Sequence, residues 1–447
     1  MNILVLNGSP KGQYSITLQT VLYLQKLYPE HSFDFLHVGQ RIKALEKDFA
    51  PAEEAIRRAD VLLFAYPVYT FIAPCQLHRF IELMKEHGVD VKGKYASQIT
   101  TSKHFYDVTA HNYVRDNCQD MQMKYLRGLS ADMDDLLTQK GQTEARHFFE
   151  HLLWQIKNGH AEPVLYCPLE AKRMPVAVPK QETQEKQGDV VVVTDLVEDD
   201  LQLKAMIDRF CAVLPLRTRV VNLREYPFKG GCLGCFNCAA DGKCIYKDGF
   251  DSFLREKIQT AQAIVYAFTI RDHSMGALFK MYDDRQFCNG HRTVTVGMPV
   301  GYLISGNYAE ETNLQTVLEG RAQVGCNPLM GIATDETDPD TMIDRLAASL
   351  VYALDKKITR PQNFYGVGGM KIFRDLIYQM QGMMKADHRF YKAHGHYDFP
   401  QKNKGLILKM YLVGALISSP KIKAKMGNAM NEGMLAPYKK LLDSIQK

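Results

Sequence analysis

The chain has 447 residues, of which 46% are hydrophobic and 23% charged; this composition excludes a disordered or fibrous protein, and the length predicts two or three domains. Its net charge of +5 is unevenly distributed, because fifteen Lys and Arg and only five Asp and Glu lie from residue 360 onward. The first strand pattern begins at once without a secretion signal, and the longest apolar run, 405–419, is short for a membrane span, so we expect a cytoplasmic protein with reduced thiols.

The first 160 residues alternate between strand and helix patterns. Short apolar or alternating runs predict strands at 2–7, 32–38, 60–66, 94–102 and 124–130. Helical spacing predicts helices at 15–28, 51–58, 76–86, 110–121 and 144–158. This alternation predicts an α/β fold with a doubly wound, parallel, five-stranded sheet for residues 1–167.

The alternation of strand and helix patterns stops at 168–188. This segment contains three prolines and many charged residues, and it is predicted to be a linker. Beyond it the pattern restarts, with strands predicted at 190–194, 217–223, 263–269, 292–298 and 330–334. Helices are predicted at 200–213, 249–260, 308–324 and 339–357. Similar segments recur in the two halves, so residues 189–358 are predicted to be a duplicate of the first domain.

Residues 359–447 belong to neither half. This tail is basic and rich in Met, and its clearest helical pattern spans 372–385. We expect a C-terminal helical extension packed on the two domains, with Met filling gaps. Contact of its basic face with a membrane surface or a nucleic acid is the alternative; no nucleic-acid partner is expected overall.

A loop of small and hydroxyl residues follows the first predicted strand. The stretch Asn7-Gly8-Ser9-Pro10-Lys11 leads into a helix that begins near Ser15, Ile16 and Thr17. Backbone N–H groups, hydroxyls and the positive end of a helix dipole together suit a phosphate. The loop contains neither the dinucleotide fingerprint nor a Walker motif, and a polar turn with Ser15 as helix cap is the alternative.

Two further loops lie at the same carboxyl edge of the predicted sheet, where doubly wound proteins bind ligands. The residues expected to contact a flat ring there are Pro67, Val68, Tyr69, Phe71, Thr100, Thr101 and Ser102. Aromatic and restricted residues suit the ring, and hydroxyls and amides suit its polar edge. Tyr69, Phe71, His104 and Tyr106 are candidate wall or proton-donor groups, although packing roles are also open for them.

These two regions resemble the flavodoxin-like NAD(P)H-dependent FMN reductases and their relatives, the quinone reductases and iron–sulfur flavoproteins. NGSPKGQYSIT is similar to their phosphate loop through Ser9, Ser15 and Thr17. The segment ADVLLFAYPVYTFIAPCQLHRFIE is similar to their second motif, whose matching residues are Pro67, Tyr69, Pro74 and Leu77. The resemblance implies two flavodoxin-like domains, FMN as cofactor and NAD(P)H as cosubstrate.

The two halves depart from that family in complementary ways. The first half has His78 where a Lys is usual and lacks an Asp-Arg pair, which the second half has as Asp284 and Arg285. The first loop of the second half, residues 194–200, contains four acidic residues, so this half is expected to have lost its own flavin. We therefore expect a fused pseudo-dimer, with a flavin on the first half facing 232–244 or 282–285 of the second; a homodimer is also possible.

Four cysteines crowd into an insertion of the second half, namely Cys232, Cys235, Cys238 and Cys244. The spacing C-x2-C-x2-C-x5-C resembles the motif of iron–sulfur flavoproteins and suits a [4Fe–4S] cluster. Zinc, a redox-active or structural thiol group, and a relic remain open as alternatives.

The expected function is an FMN-dependent NAD(P)H oxidoreductase that passes electrons to a quinone, an aromatic compound or a protein. The first alternative is an iron–sulfur flavoprotein that transfers electrons to a partner and has no small substrate of its own. The second is a degenerate interaction protein that binds no flavin.

Overall fold

The computed structural model describes residues 1–165, 173–180, 186–398, 403–418 and 429–445. Parts of the predicted linker, 166–172 and 181–185, lie outside the described residues. The described chain divides into two compact units, Met1–Phe390 and Tyr391–Lys447. Both predicted α/β domains fall within the first unit, and the domain boundaries predicted at 167 and 358 stay predictions.

The first sheet is parallel and has the strand order of a doubly wound fold. Its strands are β1 (Asn2–Asn7), β2 (Ser32–Leu36), β3 (Val61–Pro67), β4 (Tyr95–Ser102), β5 (Lys124–Tyr125) and β6 (Leu129–Asp132). The order is β2-β1-β3-β4-β5, and β6 also pairs with β4, so the predicted fifth strand is two short pieces. Strands β1 and β3 are buried on both faces, as central parallel strands are, and this explains their continuous apolar runs.

The second sheet repeats this topology. Its strands are β7 (Val190–Thr194), β8 (Thr218–Asn222), β9 (Ala263–Thr269), β10 (Val300–Ser305) and β11 (Leu329–Thr334). The order β8-β7-β9-β10-β11 matches that of the first sheet, and all its pairings are parallel. The predicted fold class, two flavodoxin-like doubly wound sheets with a helical extension, is therefore confirmed.

Helices follow the strands in both halves. In the first half they are α1 (Ile16–Leu27), α2 (Val38–Leu45), α3 (Ala50–Arg58), α4 (Cys75–Glu86), α5 (Asp107–Asp120) and α6 (Gln139–Lys157). In the second half they are α7 (Leu201–Val213), α8 (Asn237–Asp241), α9 (Phe250–Phe253), α10 (Gly276–Arg285), α11 (Thr312–Gly325) and α12 (Pro339–Lys356). The tail contains α13 (Phe364–Gln379), α14 (Lys385–Ala393), α15 (Lys404–Ile417) and α16 (Ala429–Asp443).

The strand predicted at 292–298 is wrong. The alternating pattern RTVTVGM forms turns whose Val294 and Val296 side chains are 45% and 56% exposed, while β10 begins at Val300. A central parallel strand is buried on both faces, and VGYLIS is buried throughout. Alternation therefore indicated the wrong segment, and a continuous apolar run was the better signal.

Two predicted helices also differ in extent. The helix predicted at 249–260 is the short α9 followed by a π-helical turn over Leu254–Ile258. The helix predicted at 372–385 begins earlier, at Phe364, and ends at Gln379. A turn separates it from the helix that begins at Lys385.

One hydrophobic core joins the two halves of the first unit. Buried side chains from both sheets, such as Phe64 and Phe268, belong to the same continuous cluster. Helix α4 of the first half packs against α10 of the second, and the Ala277 N–H donates to Glu82 Oε1 across this contact at 2.7 Å. The halves therefore fold against each other as two subunits of a dimer would, although they are one chain.

A buried charge network also crosses between the halves. His273 of the second half lies 3.0 Å from Glu311 Oε1 and 3.3 Å from Asp120 Oδ2 of the first half. Lys85 pairs with Asp120 at 3.0 Å and with Asp272 at 2.9 Å. Burial opposes the charged imidazole, but the hydrogen bonds to the two carboxylates raise the pKa of His273 to about 9.

The second unit contains α15 and α16, and several of its apolar side chains are exposed, including Leu408, Tyr411 and Leu442. Its net charge is positive, as the sequence predicts. Within the described residues, no helix is long and apolar enough to cross a membrane.

Because the two halves share one core, a substitution in one half is expected to lower the free energy of unfolding of the other. Replacing Phe268 with Ala removes a fully buried aromatic ring and is expected to cost about 3–5 kcal/mol. Trp154 is the single tryptophan and lies in the first half. Urea unfolding followed by its fluorescence should therefore show the whole decrease in the free energy of unfolding. An unchanged Trp154 transition beside an earlier transition in circular dichroism would mean that the halves unfold independently.

The His273 network predicts a loss of stability at alkaline pH. Because its folded pKa lies above the ordinary value of about 6.5, the imidazolium stabilises the fold fully below about pH 6.5, and this contribution is lost as the pH rises through about 9. The free energy of unfolding should fall by about 2.5 kcal/mol more between pH 7 and 10 in the wild type than in His273→Gln. Equal pH profiles of the two proteins in urea titrations would contradict this assignment.

Candidate functional site

The loop after β1 is held in shape by its own polar side chains. The Ser9 N–H donates to Asn7 Oδ1 at 3.1 Å, and Asn7 Nδ2 donates to the Gly12 carbonyl at 2.9 Å. Ser15 caps α1 through its Oγ, which accepts from the Leu18 N–H at 3.4 Å. The loop thus wraps around the N-terminus of α1, where the helix dipole favours an anion.

The hydroxyls of this loop are buried rather than solvated. Ser9, Ser15 and Thr17 are all 2% exposed or less. Thr17 Oγ1 forms a hydrogen bond with Thr101 Oγ1 at 2.6 Å, which ties the start of α1 to the end of β4. Gly39 of α2 packs on the loop so closely that a Cβ there would overlap the Gly8 carbonyl.

The loop after β3 turns sharply through residues with positive φ. Thr70 and Phe71 have φ of 45° and 73°, and backbone hydrogen bonds join Tyr69 to Ile72. Such conformations are uncommon for residues with a Cβ and are held here by surrounding contacts. In the described part of the chain the Thr70 Oγ1 is buried and has no hydrogen-bond partner.

These loops open onto one cavity of about 210 Å³. Ten of the twelve residues predicted to bind the cofactor line it, namely Ser9, Lys11, Ser15, Ile16, Thr17, Pro67, Val68, Tyr69, Thr101 and Ser102. All four cysteines of the second-half insertion line the same cavity. The phosphate loop and the cysteine stretch, more than two hundred residues apart in sequence, therefore face each other within the first unit.

The structure does not bring Thr100 and Phe71 to this cavity. Thr100 is fully buried, and its Oγ1 bonds His111 Nε2 at 2.8 Å. The Phe71 ring packs between Phe105 and Tyr106, with ring centroids 4.9 and 4.5 Å away.

The other two candidate wall groups also lie elsewhere. His104 is half-exposed and bonds Asp107 Oδ2 at 2.8 Å. The Tyr106 hydroxyl donates to the Tyr365 carbonyl at 3.1 Å. Of the four side chains considered as walls or proton donors, only Tyr69 lines the cavity.

Close contacts dock the cysteine stretch onto the first half. Gly234 has a φ of +59°, and a Cβ there would overlap the Tyr69 hydroxyl. Similarly, a Cβ on Gly231 would overlap the Cys75 sulfur. Gln76 Nε2 donates to the Cys232 carbonyl at 3.2 Å. The glycines of this stretch therefore allow the second half to lie directly on the Tyr69 loop.

The cysteines themselves do not form a metal site as they stand. Within the described residues, no three His, Cys, Asp or Glu side chains converge closely enough to hold a metal ion. The Cys238 sulfur donates to the Phe287 carbonyl at 2.9 Å. Burial raises the pKa of the Cys232 thiol and raises the pKa of Cys238 to about 11, so both are protonated at neutral pH.

Several lining residues were missed by sequence reasoning. In the first half they are Thr70, Lys103, Phe105 and Met133, most of which neighbour predicted residues in the same loops. In the second half they include Tyr246, Phe287, Cys288 and His291, and beyond it Ile372, Phe373, Leu376 and Asp387. Phe236 and Arg285, which also line the cavity, lie in the segments 232–244 and 282–285 that were expected to face the flavin. No sequence motif marks His291 or α13.

A buried ion pair of the second half supports the Tyr69 loop from behind. Lys280 and Asp284 on α10 are both fully buried and bonded to each other. The Lys280 ammonium also donates to the Tyr69 carbonyl at 3.1 Å, and Asp284 Oδ2 accepts from the Cys75 N–H at 2.8 Å. The pair thus satisfies backbone groups of the first half on both sides of the turn at 70–73.

The equivalent loop of the second half is occupied by its own carboxylates. Asp200 caps α7 by accepting from the Leu203 N–H at 3.1 Å, and it also accepts from the Thr269 hydroxyl. Burial raises the pKa of the neighbouring Asp195 to about 6. Carboxylates thus lie in the loop that corresponds to the Ser9 loop, and the loss of a second flavin site stays a prediction.

Comparisons with known proteins support the first half. The family model described as NADPH-dependent FMN reductase matches residues 1–134. The Ser9 loop and the Tyr69 segment, whose residues resemble this family, both lie within the matched residues. No curated protein matches the chain.

Solved structures with a similar fold cover about a third of the chain. An NADPH-quinone reductase from P. pentosaceus is 12% identical and is matched over 34% of this chain and 97% of its own, with a TM-score of 0.28. An NAD(P)H:quinone oxidoreductase from Methanothermobacter marburgensis is 16% identical over 34% and 94%, with a TM-score of 0.28. An FMN-dependent NADH-azoreductase from Bacillus anthracis, in complex with FMN, is 12% identical over 35% and 99%, also with a TM-score of 0.28.

The Lys280–Asp284 pair predicts a strong dependence between the two residues. Lys280→Met leaves a buried carboxylate without its partner and should lower the free energy of unfolding by about 3–5 kcal/mol. In Lys280→Met/Asp284→Asn no charge is left unpaired, so part of the loss should be recovered. A double-mutant cycle by urea unfolding measures this, and additive losses would show that the pair is not coupled.

Proposed function

We propose that this chain, whose residues 1–134 match the NADPH-dependent FMN reductases, is an FMN-dependent NAD(P)H oxidoreductase that reduces a quinone, another aromatic compound or a protein acceptor. The observation that carries the proposal is the single cavity lined by the phosphate loop, the Tyr69 loop and the loop after β4. These three loops lie at the carboxyl edge of the first sheet, beside the point where the strand order reverses.

The residues present fit FMN at both ends. The buried hydroxyls of Ser9, Ser15 and Thr17, the N-terminus of α1 and the Lys11 ammonium suit the phosphate. Lys11 itself lies over the Phe236 ring, 5.6 Å from its centroid, so the second half holds this cation near the loop. The unpartnered Thr70 Oγ1 at the cavity wall suits a polar atom on the edge of the ring.

FMN, when bound, supplies a ring that accepts hydride from NAD(P)H and passes electrons on. The protein residues bind, orient and cover it. Pro67 and Tyr69 line the cavity from the first half, and residues of the stretch from Cys232 to Tyr246 line it from the second. Burial raises the pKa of Tyr69 well above its ordinary value, so the phenol stays protonated and able to donate.

A second candidate function is electron transfer through an iron–sulfur cluster. It is favoured by the gathering of Cys232, Cys235, Cys238 and Cys244, with Cys288, at the same cavity. The thiols do not converge in the described structure, so they do not fit a cluster without rearrangement of this stretch. We therefore assign no electron-transfer step to it.

Binding of FMN is expected to depend on Thr17. Thr17→Val keeps the shape of the side chain but removes the hydroxyl beside the phosphate loop, and should weaken FMN binding about tenfold. The matched control is Thr20→Val, one turn further along α1, which is also buried but does not line the cavity.

Titration of the flavin-free protein with FMN and with riboflavin measures the effect. Thr17→Val should weaken the binding of FMN and have a much smaller effect on the binding of riboflavin, which has no phosphate. If the protein takes up neither compound, or if both variants behave alike, the assignment of this loop is wrong. NAD(P)H oxidation with a small acceptor and no partner protein then separates the enzyme from the electron-transfer protein.

The cysteine stretch is tested by metal content. Protein purified without oxygen should contain less than one iron per chain if the thiols remain as the structure has them. Close to four irons per chain, lost in Cys235→Ser, would instead establish the iron–sulfur alternative. Iron and zinc analysis beside the absorption spectrum distinguishes these results, with Cys211→Ser, a cysteine outside the cavity, as the control.

A further inference from the structure

A second cavity of about 160 Å³ lies beside the first and is built largely by the second half. The two cavities share part of their walls, formed by Thr70, Phe105, Phe287, Gly290, His291 and Phe373. A ligand in the second cavity would therefore be a neighbour of a flavin in the first.

Its walls hold polar hydrogen-bond donors that have no partner in the described structure. The Gln286 Nε2 and the Thr293 Oγ1 are buried and unpaired, and both residues line this cavity. A buried unpaired donor carries a cost in free energy that a ligand atom can relieve. Two such groups on residues that line one small cavity favour a ligand with oxygen acceptors.

The cations at this cavity are already neutralised. Arg321 pairs with Asp283 at 2.7 Å, and Arg292 pairs with Asp387 at 2.8 Å. An anionic ligand would have to compete with these carboxylates. The charges therefore favour a neutral acceptor atom, such as a carbonyl oxygen, over a carboxylate or phosphate.

Aromatic side chains also line this cavity. They include Tyr266 and Tyr302 of the second sheet, with Phe71, Phe105 and Phe373. Aromatic walls suit a flat ring, and the cavity is small enough to limit it to one or two rings.

We propose that this second cavity is the acceptor site and that it binds a small, neutral, planar compound with ring carbonyls, a quinone in chemical class. The inference rests on the proposed function, since the first cavity must hold the flavin. It adds to the proposed function the location of the acceptor site, which is lined mostly by residues of the second half.

The same wall supplies the proton that the reaction needs. Overall, NAD(P)H, one quinone and one proton give NAD(P)⁺ and one hydroquinone: two electrons and the hydride hydrogen come from NAD(P)H, and the second hydrogen is a proton. His291 lies at the wall that both cavities share, with its Nδ1 3.1 Å from Asp387 Oδ2. His291 gives its proton to a carbonyl oxygen and is reprotonated from solvent; the fully buried Asp387 is the positioning residue.

Binding is tested first, without turnover. Oxidised, FMN-loaded protein is dialysed to equilibrium against tetramethyl-1,4-benzoquinone, and bound quinone is measured. Gln286→Leu and Thr293→Val should each raise the Kd about tenfold, while Thr143→Val, outside both cavities, should not change it. Because the two deleted groups have no partner, flavin content and the unfolding midpoint should not fall below wild-type values. Equal Kd values for all four proteins would overturn the proposal.

The proton step is tested by choice of acceptor. Ferricyanide takes one electron and no proton, whereas a quinone needs protons. His291→Asn should therefore slow oxidation of the reduced protein by the quinone at least tenfold more than it slows oxidation by ferricyanide. An equal loss with both acceptors, or no loss with either, would contradict the role of His291.

These results separate the inference from the proposed function. A protein that binds no FMN refutes the proposed function itself. The acceptor site alone is refuted if the protein binds FMN and reduces ferricyanide with NAD(P)H, but substitution of Gln286 or Thr293 does not change the Kd for the quinone.

Discussion

The contact between α10 and the turn after β3 is the interaction on which the site depends. A turn with positive φ at Thr70 and Phe71 is costly for the chain, and the Lys280–Asp284 pair satisfies backbone groups on both sides of it. These two charges are buried, so they are stable only while the halves stay together. The loop that would hold the flavin ring is thus shaped by a helix from the other half of the chain.

The two halves have the same topology but contribute different parts of the candidate site. The first half keeps a loop of buried hydroxyls, and the second fills the equivalent place with Asp195 and Asp200. The second half contributes the stretch from Cys232 to Tyr246, which lines the first cavity, and most of the residues that line the second cavity.

Much of the fold could be predicted from the sequence, because buried parallel strands such as VVVVT leave continuous apolar runs. That Ser9, Ser15 and Thr17 line one cavity was also predictable, since these residues are neighbours in sequence. What could not be predicted are contacts between distant positions: Gly234 against Tyr69, Lys280 beneath the Tyr69 carbonyl, or His291 beside the cavity. The segment RTVTVGM misled because alternation of apolar and polar residues also occurs in exposed turns.

The central claim is that one flavin lies between the two halves of this chain. A crystal structure of the protein with FMN tests it most directly. The account predicts one FMN per chain, with its phosphate at Ser9, Ser15 and Thr17 and its ring in contact with both the Tyr69 loop and the stretch from Cys232 to Tyr246. A flavin bound at the acidic loop 194–200, or a ring that touches only the first half, would contradict it.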